Sequence, residues 1–253
     1  MAETILEVRN LMKKYGDLVA VGGVCFSVER QEIFGILGPN GAGKTTTLEV
    51  IETLRSIDAG DVFLNGIDMR KKPQEVKRLI GVQLQSSSFF DKLNLVELLT
   101  LFGELYGRRV DPDVLLEEVE LLEKRKAKVG ELSGGQRQRF SIAAALVNDP
   151  VVMFLDEPTT GLDPQARRHL WGVIKRMRSE GKTIVLTTHY MEEAEELCDR
   201  VAIMDEGKIV ALAPPQELIN KLLSGGFKKQ RVERLANLED VFLSLTGHSL
   251  RED

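Results

Sequence analysis

The sequence is poor in cysteine, in tryptophan and in long apolar runs, and it carries no excess of positive charge. Its two cysteines, Cys25 and Cys198, stand far apart and lack metal-ligand spacing, which argues for two reduced thiols of a cytosolic protein. The longest apolar runs, Val151 to Leu155 and Ile142 to Val147, fall well short of the roughly 20 residues a membrane-spanning helix requires. The start, Met1-Ala2-Glu3-Thr4, has neither a basic n-region nor an apolar h-region, so no secretory signal is expected. With 34 Lys+Arg against 39 Asp+Glu the net charge is −5. Gripping a phosphate backbone takes many basic residues gathered on one face, so no nucleic-acid partner is expected. No internal repeat or low-complexity segment is present. What remains is ordinary globular material: 253 residues, 43% hydrophobic and 29% charged, enough for one large domain or a core with a subdomain.

The chain divides into three stretches by pattern. Val24, Phe26 and Val28 alternate with Cys25 and Ser27, as in a half-buried strand. Ile33 to Leu37 is an apolar run into a glycine-rich turn, followed by a helical stretch from Thr45 to about Leu54. A further strand fits Asp61 to Leu64. Between about Ser86 and Asn148 the spacing becomes helical: Leu95, Leu98, Leu99 and Phe102 recur on one face, then Leu115, Val119 and Leu122. Asn94 suits an N-cap, and Asp111-Pro112 a helix start. Strand and helix then alternate again. Val151 to Leu155 is a buried strand, Asp163-Pro164 opens a helix, Thr183 to Thr188 is a strand, and Val201 to Met204 with Lys208 to Ala211 forms a hairpin.

Two motifs point to phosphate chemistry. Gly38-Pro39-Asn40-Gly41-Ala42-Gly43-Lys44-Thr45, with Thr46 next, matches G-x-x-x-x-G-K-[ST] between a strand and a helix. Its glycines bare backbone N–H groups toward an anion at a helix N-terminus. Lys44 is then placed for the outer phosphates and the Thr45 hydroxyl for Mg2+. The strand Val151 to Leu155 ends in Asp156-Glu157, and in an open α/β sheet such strand ends face the ligand crevice. Asp156 would hold the metal directly or through water; Glu157 would orient and deprotonate an attacking water.

A third motif, Leu132-Ser133-Gly134-Gly135-Gln136, precedes an amphipathic helix. Ser133 can cap it while Gly134 and Gly135 leave its amides bare, which makes a second anion site far in sequence from the first. At these residues the chain resembles the ATP-binding cassette (ABC) ATPases over about residues 3 to 220. The resemblance implies a P-loop, RecA-like α/β core with an N-terminal antiparallel β-subdomain and an inserted helical subdomain at about 86–149. Residues 1–220 would form the nucleotide-binding domain and 221–253 a short extension. ATP and Mg2+ are the implied ligands. Tyr15 resembles the aromatic that stacks on adenine, or is a core tyrosine at a strand end. Gln85, or else its neighbour Gln83, resembles the glutamine that senses Mg2+ and the attacking water. His189 resembles the switch histidine at the γ-phosphate, and Asp163 the aspartate that crosses a dimer interface, a role compatible with capping its helix. His169 reads as a helix-surface residue and His248 as tail.

In that family two cassettes pack head to tail, so the resemblance implies a homodimer when ATP is bound, with Ser133 and Gly135 of one copy completing the phosphate cage of the other. It further implies a separate membrane subunit and a position on the inner face of the cell membrane. Phe89, Phe90 and Leu93 are candidates for contact with that subunit, or for packing inside the helical subdomain. Thr187 to Glu195 and Leu238 to Leu243 resemble the daunorubicin-resistance type of exporter ATPase, with only a short link at about Gly225 to Asn237. The alternatives are a soluble ABC ATPase acting on ribosomes or DNA repair, which usually carries fused cassettes or long insertions, and a P-loop kinase, which would explain neither Leu132 to Gln136 nor His189.

Overall fold

A computed structural model describes residues 3–85 and 88–225. A first compact unit runs to Glu217 and a second begins at Leu218. Of the second, only the end of one helix (α8, Pro215–Ser224) lies among the described residues. His248, the link from residue 226 to 237 and the tail resemblance at 238–243 therefore fall outside them.

The first unit is built on two sheets. Strands β1 (Thr4–Tyr15) and β2 (Leu18–Glu29) form a long antiparallel hairpin. With β4 (Ala59–Leu64) and β5 (Ile67–Asp68) they make a four-stranded sheet in the order β2-β1-β4-β5. Val24, Phe26 and Val28 point inward and Cys25 outward, the alternation a one-sided strand requires. Phe26 stacks on Phe34 at 5.0 Å and 9°, which joins this sheet to the second one. The strand at Ala59 starts two residues earlier than its apolar pattern suggests, because Ala59 pairs with Met12.

The second sheet has the order β10-β9-β3-β8-β7-β6. Strands β3 (Ile33–Leu37), β6 (Ile80–Gln83), β7 (Val152–Asp156), β8 (Thr183–Thr188) and β9 (Arg200–Asp205) run parallel, and β10 (Lys208–Ala213) closes the edge as a hairpin. Every residue of β3, β7 and β8 is buried, which is why these strands are continuous apolar and threonine runs rather than alternating ones. Because β3, β8 and β7 are neighbours, the loops that leave their carboxyl ends lie side by side. Leu37 pairs with Thr188, and Asp156 with Thr187.

Helix α1 (Lys44–Ile51) stops short of Leu54 because Thr53 takes a left-handed φ of 64°. After α2 (Pro73–Lys77) and β6, the chain enters the helical insertion: α3 (Leu95–Leu105), α4 (Pro112–Glu118) and α5 (Gly134–Leu146). Asn94 caps α3 in a capping box with Glu97, and Asp111 caps α4 with Pro112 at its first position. The apolar series Leu115, Val119, Leu122 does not form one helix. The left-handed Glu120 (φ 56°) ends α4, and Leu122 opens a separate 3-10 turn. Phe89 turns into this insertion against Phe102 and Phe140, so it is a packing residue rather than an open contact. Phe90 stays 60% exposed. Helix α6 (Pro164–Ser179) is capped by Asp163, and α7 (Met191–Leu197) follows β8 directly.

Candidate functional site

The glycine-rich loop leaves β3 and enters α1 through Gly43, whose φ is 98°. No side chain caps α1, so its first amides are left for an anion. A Cβ on Gly43 would come within 2.3 Å of the Ala20 carbonyl oxygen, so backbone conformation and close packing both demand glycine here. The loop is fastened to its surroundings by backbone bonds: Gly207 N–H donates to Ala42 O (3.0 Å), and Gly22 N–H donates to Gly207 O (2.8 Å).

Lys44 is 4% exposed. Its ammonium donates to Gly38 O (2.9 Å) and Pro39 O (3.0 Å) and pairs with Glu157 Oε1 at 3.3 Å. The Thr45 hydroxyl donates to Asp156 Oδ1 at 3.2 Å, and the Thr187 hydroxyl donates to the same oxygen at 2.5 Å. Thr187 Oγ1 also accepts from the Glu157 N–H at 3.0 Å. Glu157 itself takes a left-handed φ of 47°, which turns its side chain out of the strand's alternation. Its Oε2 accepts from the Thr160 hydroxyl (3.0 Å) and lies 3.2 Å from His189 Nδ1. That nitrogen is buried and has no better-aligned partner.

The two acids are tuned in opposite directions. Burial pushes Asp156 above the usual carboxylate range; the Thr187 and Thr45 hydroxyls oppose this, and Glu157 adds to it. Burial pushes Glu157 up as well, but the Thr160 hydroxyl, the Lys44 ammonium and His189 outweigh it and leave the carboxyl below its ordinary value. Both directions belong to the site without nucleotide or metal, in which Glu157 is held by Lys44 and Thr160 and Asp156 by two hydroxyls.

Lys44, Thr45 and Glu157 line one cavity of about 730 Å3 together with Tyr15, Val19 and Gln85. Asn40, Gly41, Gly43 and Thr46 line it too. Tyr15 is 42% exposed with Lys13 Nζ 5.7 Å from its ring, so it is not a core tyrosine. Gln85 faces the cavity, whereas Gln83 is 1% exposed and donates to Leu84 O. Ser133, Gly134, Gly135 and Gln136 do not line this cavity. They sit at the N-terminus of α5, where Ser133 and Gln136 make a capping box and Ser133 and Gly134 are exposed. Asp163 caps α6 through the N–H groups of Gln165 and Ala166. A Cβ on Gly135 would meet Ala166 at 3.0 Å, so these two helix starts adjoin. His169 is on the surface of α6 in contact with Glu120.

Several contributing residues escaped the sequence reading. Thr187 and Thr160 hold the two acids, but threonines in a strand or turn read as strand formers or turn residues. Glu206 and Gly207 bring the β9–β10 turn to the cavity wall; only the Glu-Gly pair signals a turn there.

A glycine-rich loop at a helix start, a buried lysine over it, and a threonine-aspartate pair beside a buried glutamate define a nucleoside-triphosphate-hydrolysing protein of the P-loop class. Within that class the chain belongs to the ABC transporter family, whose profile matches residues 21–160, and it is an ATPase. It is similar to a Nod factor export ATP-binding protein I from Burkholderia orbicola (44% identity, the whole of both chains) and to one from Burkholderia pseudomallei (43% identity, 99% of each). The first alignment spans 304 columns against the 253 residues of this chain, so that relative has stretches with no counterpart here. Among solved structures it resembles cbiO1 of Clostridium perfringens, part of the ABC transporter complex cbiONQ (TM-score 0.79, 26% identity, 92% of this chain and 97% of that one). It also resembles the ATP-binding cassette MJ0796, a dimer in a post-hydrolysis state with ADP and Pi (TM-score 0.75, 26% identity, 83% and 99%).

Proposed function

We propose that this chain is the ATP-hydrolysing subunit of an exporter and acts as a head-to-tail pair of copies on a separate membrane subunit. The observation that carries this is the division of the anion-binding parts. Lys44, Thr45 and Glu157 share one cavity, while the helix start at Ser133 to Gly135 lies outside it. A second copy can bring its own Ser133 and Gly135 to the open side of that cavity. ATP would then be held between Lys44 and the loop amides of one copy and the α5 N-terminus of the other. The export names of the relatives support the direction.

In the hydrolytic step Tyr15 stacks on the base and Lys44 takes the outer phosphates. Binding of the phosphates draws Lys44 from Glu157 Oε1, which leaves that oxygen free to accept a proton from water. Thr160 keeps the other carboxylate oxygen in place, and His189 sits beside it to face the terminal phosphate. General-base help of this kind gives about 10²–10⁴ in rate. The residues fit Mg2+ in a particular way. Thr45 and Asp156 offer adjacent oxygens and Gln85 a third, while no cluster of three or more acidic, histidine or cysteine ligands exists among the described residues. Such a set suits a hard cation that takes its remaining positions from phosphates and water, and Mg2+ would neutralise charge on the transferring phosphoryl group.

No helix among the described residues is long and apolar enough to cross a membrane. The contact with the membrane subunit is assigned to the surface that Leu84 and Phe90 leave exposed, which would hold the ATPase at the inner face of the membrane. The test is Glu157→Gln. In the presence of MgATP the variant should run as a long-lived dimer by light scattering, with phosphate release nearly abolished. Phosphate release at the wild-type rate would remove Glu157 from the mechanism, and a monomer at saturating MgATP would remove the pair.

A further inference from the structure

The mechanism above leaves three buried acids unused, Glu32, Glu52 and Glu193, and the last of them adjoins the segment that carries His189. Glu193 lies on the first turn of α7, four residues beyond His189, and is fully buried. One of its oxygens, Oε1, accepts from the Thr159 hydroxyl at 2.8 Å and from the Trp171 indole N–H at 2.9 Å. The other, Oε2, is buried without a hydrogen-bond partner. A carboxyl is an expensive group to bury against two neutral donors, which a carbonyl or an amide could satisfy at lower cost. Its location is informative. Thr159 is 0% exposed and belongs to the tight turn after Glu157, in which Thr160 N–H bonds Glu157 O and Leu162 N–H bonds Thr159 O. Trp171 is on α6, the helix that Asp163 caps. A second contact joins the same two segments: the Arg167 guanidinium lies 4.2 Å over the Tyr190 ring, which in turn packs 4.1 Å from the His189 ring. The segment carrying His189 is thus tied at two points to the segment that runs from Glu157 through Asp163 into α6.

We propose that Glu193 is a positioning residue for hydrolysis: by taking Thr159 and Trp171 on one oxygen it fixes the His189 segment against the turn that follows Glu157, and so sets the spacing between histidine and carboxylate. This rests on the role given to His189 above. It does not require Glu193 to touch nucleotide. It also gives the Asp163 turn a route to the histidine: displacement of that turn by a second copy would pull on Thr159, then Glu193, then the start of α7.

The experiment uses the full chain, with Thr159→Val, Thr159→Ser, Glu193→Leu and His189→Ala, alone and combined. Misplacing a catalytic group by about 1 Å costs up to about 100-fold, so Thr159→Val and Glu193→Leu should each lower kcat by about 10- to 100-fold. The dissociation constant for ATP should stay within about twofold, because neither residue lines the cavity. Thr159→Ser restores the hydroxyl and should restore kcat. In the His189→Ala background Thr159→Val should cost nothing further. The chain has three histidines, so the His189 imidazole resonance can be followed by NMR; it should move in Thr159→Val while that of His169 does not. Should Thr159→Val fail to fold by its melting curve, Trp171→Phe removes the other hydrogen bond and is read in the same way. A folded Thr159→Val with wild-type kcat, or losses that multiply fully with His189→Ala, would overturn the proposal alone. Wild-type kcat in His189→Ala would overturn the reading of the histidine, and this proposal with it.

Discussion

The pairing of Lys44 with Glu157 leads to a prediction about binding rather than catalysis. The ammonium and the carboxylate are 3.3 Å apart, with side chains 4% and 7% exposed. At an effective dielectric of about 20 their gross attraction is about 5 kcal/mol. Both face the cavity, where water screens them, and Lys44 keeps two carbonyl acceptors without Glu157. The net loss on removing the carboxylate is therefore about 1–2 kcal/mol. Glu157→Gln without nucleotide should then melt about 2–8 °C below wild type. A polyphosphate breaks this pair when it claims Lys44, so the variant has nothing to give up and should bind tighter by roughly 5- to 30-fold. ADP is the ligand to use, since it lacks the terminal phosphate that would join two copies. Calorimetric titration gives the affinity and a melting curve gives the stability. The sign with pH follows from the carboxyl's lowered value: the pairing is complete at neutral pH and disappears only as pH falls through and below the ordinary carboxylate range, where the two proteins should converge. Equal ADP affinity and equal melting temperature at neutral pH would refute the reasoning.

Three further outcomes are expected. Thr187→Val removes the donor to Asp156 and the acceptor of the Glu157 N–H, so it should lower stability by about 1–3 kcal/mol, as read by urea unfolding, and slow ATP hydrolysis. Gly43→Ala would set a methyl 2.3 Å from the Ala20 carbonyl at a φ of 98°, and nucleotide binding followed by fluorescence should be lost along with about 1–3 kcal/mol of stability. Cys25 is exposed, whereas burial pushes the Cys198 thiol up and hides it; a thiol reagent should therefore consume one equivalent from the native protein and the second only on unfolding.

Those parts of the fold whose local chemistry allows a single solution were legible in the sequence. The loop at Gly38 to Thr45, the caps at Asn94, Asp111, Ser133 and Asp163, and the buried strand into Asp156 each combine period, cap and turn residues that agree. What stayed hidden is tertiary. Thr187 looks like any strand threonine until the register of β7 with β8 sets it against Asp156. Glu193 looks like one acid among several on α7 until packing brings Trp171 to it. The helical period from Leu115 to Leu122 misled because left-handed Glu120 breaks the helix while leaving the apolar spacing intact. Phe89 could not be told from Phe90, because which of two adjacent aromatics turns inward depends on Phe102 and Phe140. Gln85 could be separated from Gln83 only by knowing where β6 ends.

The bonds that join Gly22, Gly207 and Ala42 bear on how force leaves the protein. They fasten β2, the β9–β10 turn and the phosphate loop to one another, as rivets join three plates. Any displacement of the loop relative to these two neighbours would have to break backbone hydrogen bonds, whereas Gln85, which lines the same cavity, is held by none of these bonds.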